Sequence, residues 1–269
     1  MMLSRRTLSA SLVAGTGLSL LAGSGKAQIA APTGVRNIVL VHGLYADGSS
    51  WSNVIVPLQL AGFNVTSVQN PLTSLEESVA AAQRAIALQD GPTVLAGHSY
   101  SGTVVSQVGV DPKVTALVFV AARAPDAGED FTALAARFPT PPASAGIVTT
   151  NGFIQLSESA FLNDFANGVN PIKARSLYAV QGQATATLVS DRTTVAAWRS
   201  KPSWYAVSKQ DRTINPDLER FLARRMNATT IEVDSGHLSL VSHPREITGL
   251  IMAAAGRSDW GPTLENYFR

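Results

Sequence analysis

A serine held among small residues is the first chemistry this chain offers, in Thr93-Val-Leu-Ala-Gly-His-Ser-Tyr-Ser-Gly102. Small residues at positions 97, 101 and 102 permit a turn sharp enough to lift Ser99 Oγ above a sheet. The amide of Tyr100 then opens a helix and faces an incoming oxyanion. Position 101 is serine where the stricter form of the pattern has glycine. A serine hydroxyl is a weak nucleophile at neutral pH and needs a base within hydrogen-bond reach. The chain has 4 histidines. His98 adjoins Ser99 and points away from it, His42 ends an apolar run where it braces a turn, and His243 precedes Pro244 at a helix start. His237, in Asp234-Ser-Gly-His-Leu238, is expected to be the base, with Gly236 allowing a tight loop. Its imidazole must keep one tautomer and tolerate a positive charge, which calls for a buried carboxylate. Asp211 and Asp126 both compete for that place, whereas Asp234 is too close in sequence to fold back onto His237. In Val41-His-Gly-Leu-Tyr-Ala-Asp-Gly48, Gly43 lets the backbone turn so that Leu44 offers a second oxyanion amide. Tyr45 and Leu238 are expected to touch substrate. No metal-ligand spacing and no phosphate-binding glycine loop occurs, so neither metal nor cofactor is expected.

Alternating strand and helix patterns position these residues. Apolar runs at Val35–Val41, Phe63–Val68, Thr93–Ala96, Val114–Ala121, Trp204–Ser208 and Thr229–Asp234 predict strands of a mostly parallel sheet covered on both faces. Helices are predicted near Trp51–Ala61, after the capping box Thr73-x-x-Glu76, behind Ser99 to about Val110, from Asn215-Pro-Asp217 through Met226, and from Pro244. Residues 123–200 break the rhythm. A structureless loop of that length is improbable, so a small helical cap over the site is expected there.

The chain ends complicate its charge. Residues 1–27 read as a twin-arginine leader: Arg5-Arg6, an apolar run from Leu8 to Ala22, and a small-x-small site ending at Ala27. Without Arg5, Arg6 and Lys26, Lys+Arg falls from 21 to 18 against 19 Asp+Glu, so the basic balance belongs to the leader. Nothing then favours nucleic acid, and the interrupted apolar run is too short for a stable membrane span. Export to the periplasm or beyond is expected, with the twin-arginine machinery as a partner. The absence of cysteine fits that route, because no disulfide has to form outside.

With His42-Gly43, the Gly97–Gly102 turn, Asp211-Arg-Thr-Ile-x-Pro216, Gly236-His237 and Ser242-His-Pro244 assembled, the chain resembles small capped α/β-hydrolases. That type includes plant methyl esterases, hydroxynitrile lyases and cofactor-free perhydrolases. The resemblance runs from about Val35 to Ala255 and implies the chain order Ser99, Asp211, His237 for a catalytic triad, with Leu44 and Tyr100 amides as the oxyanion hole. With the leader, the reading is an exported serine hydrolase acting on a small carboxylic ester, with amide, lactone or peracid chemistry, or a turnover-free ligand sensor, as alternatives. Hydroxynitrile lyases place a lysine just after the catalytic histidine. Here Leu238 stands there, which argues against cyanohydrin cleavage. Leu44, Tyr45 and Tyr100 suggest an uncharged, fairly apolar substrate.

Overall fold

The computed structural model describes residues 34–269. The leader expected at residues 1–27 lies outside them. Strands β1 (Asn37–Val41), β2 (Asn64–Val68), β3 (Thr93–His98) and β4 (Val114–Val120) form the first half of the central sheet. Three short strands follow outside it: β5 (Ile147–Thr150), β6 (Phe153–Leu156) and β7 (Ala184–Thr185). Strands β8 (Ser203–Ser208) and β9 (Thr229–Val233) complete the sheet, whose order is β2-β1-β3-β4-β8-β9 with every pairing parallel. The central strands bury nearly every side chain, as expected where both faces are covered, while edge strands β2 and β9 keep exposed positions.

Helices α1 (Ser52–Leu60), α2 (Leu75–Ala87) and α3 (Ser101–Val108) alternate with the first strands. The expected capping box sits one residue later than Thr73–Glu76. The helix starts at Leu75, so Ser74 is the cap and accepts from the Glu77 amide at 3.0 Å, while the Thr73 hydroxyl meets the Glu77 carboxylate. After β4 come α4 (Phe131–Ala135), α5 (Glu158–Ala160) with a π-helical extension over Phe161–Phe165, and α6 (Pro171–Ala179). The chain closes with α7 (Pro216–Arg225), α8 (Ser239–Ser242), α9 (Pro244–Ala254) and α10 (Gly261–Tyr267). Asn215 caps α7 through the Asp217 amide at 2.9 Å, and Ile247, Leu250 and Ile251 bury the inner face of α9. Helix α10 has no counterpart in the sequence reading. Among the described residues, no helix is long and apolar enough to cross a membrane.

The segment between β4 and β8 holds α4 to α6 and also the antiparallel sheet β5-β6-β7. Its hairpin turns at Asn151-Gly152, with φ of 50° and 82°. An Asn-Gly pair between two apolar runs is the sequence signal of such a hairpin. Gly152 directly precedes β6, and Gly146 directly precedes β5.

Candidate active site

The parallel register brings the strand ends to one edge, where Val41 pairs with Gly97 and Val120 with His98. In open α/β sheets this carboxyl edge is where ligands bind. Ser99 leaves β3 with φ of 58°, a left-handed value that strains a non-glycine residue and turns its side chain out of the sheet. The neighbours must be small for reasons of contact. A Cβ on Gly97 would lie 2.7 Å from Val105 Cγ2, and one on Gly102 would lie 1.7 Å from the Arg123 carbonyl oxygen. Ser101 has a use for its hydroxyl, which reaches the carbonyl oxygens of Val41 at 2.7 Å and His98 at 2.8 Å. That ties β1 to the turn and explains why serine suits this position. Gly43 is required by proximity rather than by φ. Its Cβ would meet Ser99 Cβ at 2.7 Å and the His98 carbonyl at 2.8 Å. The left-handed residue of that loop is Tyr45, with φ of 61°.

His237 follows β9, and its Nδ1 lies 2.5 Å from Asp211 Oδ2 with both side chains fully buried. The other Asp211 oxygen accepts the amides of Thr213 at 2.6 Å and Ile214 at 2.9 Å, which fixes the carboxylate's plane. With Nδ1–H donated to Asp211, Nε2 carries the lone pair, and Nε2 has no hydrogen-bond partner among the described residues. Ser99 Oγ faces a cavity and makes no hydrogen bond to His237. The competitor Asp126 is elsewhere: Arg199 Nε donates to it at 2.7 Å. Arg212, beside Asp211 in sequence, pairs instead with Asp164 at 2.7 Å. Lys209 pairs with Asp234 at 3.6 Å, toward solvent.

The remaining histidines support the backbone. His98 Nε2–H donates to the His237 carbonyl at 3.1 Å, and burial holds its pKa well below the ordinary value, so it stays neutral. His42 Nδ1–H donates to the Gly43 carbonyl at 3.0 Å while its Nε2 accepts the Asn70 amide at 2.9 Å. Desolvation lowers its pKa also. Both rings brace the loops that carry the site.

A buried acid stands behind Asp211. Glu219, on α7, has no exposed surface; its Oε2 accepts the Ser208 amide at 3.0 Å. Burial first, then the Asp211 carboxylate within hydrogen-bond reach, push its carboxyl well above the ordinary range. A protonated Glu219 can donate to Asp211 and hold it without adding a second negative charge.

Ser99 opens into a cavity of about 130 Å³ lined by Leu44, Tyr45 and Tyr100 on the core side. From the cap segment come Ile147, Leu156 and Val189, and Thr213 and Ile214 close it. Burial raises the phenols of Tyr45 and Tyr100 to about 12, so both are neutral. Leu238 falls outside this lining. It borders a separate void of about 10 Å³ with Phe161, Phe165 and Leu177, because the chain after His237 turns toward the cap's aromatic cluster. Sequence reasoning missed Ile147 and Leu156, which the Asn151-Gly152 hairpin signal would have placed, and Arg123, which lines the cavity directly after β4.

Comparison with known proteins agrees with this architecture. The chain is 25% identical over 244 residues to the alpha/beta hydrolase nvfD of Aspergillus novofumigatus (strain IBT 16806), covering 82% of this chain and 97% of that protein. The solved structure of a pyrethroid hydrolase, PytH, superposes with a TM-score of 0.69 at 18% identity, covering 82% of this chain and 98% of the other. Polyneuridine aldehyde esterase matches with a TM-score of 0.69 at 16% identity, covering 81% and 98%. An extracellular alpha/beta-hydrolase from a Paenibacillus species gives 0.67 at 21% identity, covering 81% and 98%. At these identities the structural matches speak to fold. Residues 38–249 match the family profile itself, and the chain belongs to the alpha/beta hydrolase family.

Proposed function

We propose that the protein is a serine hydrolase of carboxylic esters. The observation that carries this reading is the buried Asp211–His237 pair, whose free Nε2 stands at the same sheet edge as the strained Ser99. In this mechanism His237 Nε2 takes the Ser99 proton as Oγ bonds to the ester carbonyl carbon. The carbonyl oxygen becomes an oxyanion held by the Leu44 and Tyr100 amides. Neither amide donates a loop hydrogen bond within the described residues. The tetrahedral species expels the alkoxy group, which leaves as alcohol with the proton from His237. Water, deprotonated by the same nitrogen, then attacks the acyl-enzyme. The acid is released and Ser99 recovers its proton.

Cyanohydrin cleavage releases a free anion, which a nearby ammonium would stabilise. Leu238 occupies the place after His237, and Lys209 is engaged with Asp234. Purified protein incubated with 4-nitrophenyl acetate and with mandelonitrile should hydrolyse the ester and release negligible cyanide. The opposite result would replace esterase by lyase. We further propose twin-arginine export, supported by Arg5-Arg6 and the apolar run behind them. Replacing both arginines with lysine should leave active enzyme in the cytoplasm. Unimpaired export of that variant would contradict the proposal.

A further inference from the structure

Arg123 is a cation beside the nucleophile with no anion of its own among the described residues. The Tyr205 hydroxyl accepts from the Ala122 amide at 3.1 Å and donates to its carbonyl at 2.6 Å. The Arg123 amide in turn donates to the Ser99 carbonyl at 3.0 Å. Its backbone is thus tied to the serine turn, and its side chain lines the 130 Å³ cavity into which Ser99 opens.

The guanidinium sits against two rings, 5.7 Å from the Tyr100 centroid and 5.1 Å from that of Phe131. Only Nη1 finds acceptors, at 3.5 Å to the Leu188 carbonyl and 3.3 Å to that of Val189. These are long, and the remaining donors have no protein acceptor among the described residues. Nearby arginines differ: Arg199 pairs with Asp126, Arg192 with Asp130, Arg212 with Asp164 and Arg225 with Glu129. Among the described residues Arg123 forms no such pair. Protein encloses it, yet it keeps solvent-accessible surface because it faces the cavity. Desolvation pulls its pKa down while the Tyr100 and Tyr45 phenols oppose this, and a guanidinium remains charged at neutral pH. A desolvated cation with unmatched donors is costly unless an anion completes it.

A second cavity of about 300 Å³ shares Arg123, Ile147, Val189 and Ile214 with the first. Arg123 thus stands where the two spaces meet: the first mixes the hydroxyls of Ser144 and Thr213 with apolar side chains, and the second is walled mainly by hydrocarbon, including Phe131 and Leu218. We propose that Arg123 recognises a carboxylate on the substrate, so that the ester cleaved at Ser99 carries a second, anionic end joined to it by a short hydrocarbon chain. The planar guanidinium fork matches a carboxylate. The inference rests on the esterase reading and replaces the sequence expectation of an uncharged substrate.

The test compares an anionic ester with its neutral counterpart in one protein sample, so that loss of folded enzyme cancels in the ratio. Monomethyl glutarate against dimethyl glutarate places the anion on the acyl side, and 3-acetoxypropanoate against butyl acetate places it on the alcohol side. Wild type should favour the anionic member of at least one pair in kcat/KM by about tenfold to a hundredfold, the usual value of a charge-assisted hydrogen bond. Arg123→Met should abolish that preference and Arg123→Lys should retain part of it. Calorimetric binding of monomethyl glutarate and 3-acetoxypropanoate to Ser99→Ala, alone and combined with Arg123→Met, reads the same contact without turnover. Preference for the neutral ester in both pairs, or an unchanged preference in Arg123→Met, would overturn the inference while leaving the esterase reading intact. Arg123-dependent carboxylate binding with no ester turnover would instead remove the esterase reading.

Discussion

The two sides of the cavity are held by different physics. On the core side, the serine turn is closed by contacts that leave no space: Gly102 against the Arg123 carbonyl oxygen, Gly97 against the Val105 side chain, Gly43 against Ser99 Cβ. Asp211 there is held on both oxygens, one on His237 and the other on two amides. On the cap side, the walls are single apolar side chains from a short hairpin and a loop, Ile147, Leu156 and Val189. There the Arg123 donors are largely unmatched. Groups held in place with no room to move suit steps common to all esters. Replaceable side chains around an unmatched charge suit selection among them. Changes on the core side should therefore act on kcat or folding, and changes on the cap side on which substrate is taken.

The largest expected effect is at the triad acid. Asp211→Asn favours the wrong imidazole tautomer and should lower kcat on the order of 10⁴-fold, as in the serine-protease precedent. Steady-state kinetics on 4-nitrophenyl acetate checks it. Asp126→Asn, which loses a contact to Arg199 and none to His237, should change kcat by less than about tenfold, and the reverse ranking would move the acid to Asp126. Next comes Gly102→Ala. The added methyl has a backbone oxygen in its place, and relieving that overlap should cost about 3 kcal/mol or more, read by denaturant unfolding. An alanine variant of wild-type stability would show that the turn is far less crowded than its contacts imply.

A smaller, pH-dependent effect is expected from Glu219. Its folded pKa lies above the unfolded value near 4.5, so between the two the folded protein binds the extra proton. The Glu219 contribution is fully present below pH 4.5 and is lost as pH rises toward the folded pKa. Glu219→Gln keeps a donor toward Asp211 and removes this loss. Its stability relative to wild type should rise with pH through that window, by at most about 1.4 kcal/mol per unit. A flat difference in thermal unfolding between pH 5 and 8 would mean that Glu219 is not held protonated.

Much of the core side was legible in the residues. Continuous apolar runs place β1, β3, β4 and β8 because strands buried on both faces need no polar alternation. The serine turn announces itself through small residues that contact forces to be small. The cap side was less legible. Exposed β5 carries no buried face to generate a period, and β7 is only two residues long. Leu238 looked like a substrate contact from its place after His237, but side-chain direction there depends on a turn that periodicity does not encode. Arg123 gives no local signal at all. Its meaning comes from carboxylates that other arginines have and it lacks, which is a property of the folded neighbourhood.

Trapping the acyl-enzyme tests the central claim most directly. Acid quenching during the first turnovers of 4-nitrophenyl acetate, followed by peptide mass mapping, should find one acetyl group on Ser99, absent from Ser99→Ala. Rapid ester turnover with no adduct, or with the acetyl group on another residue, would contradict the account.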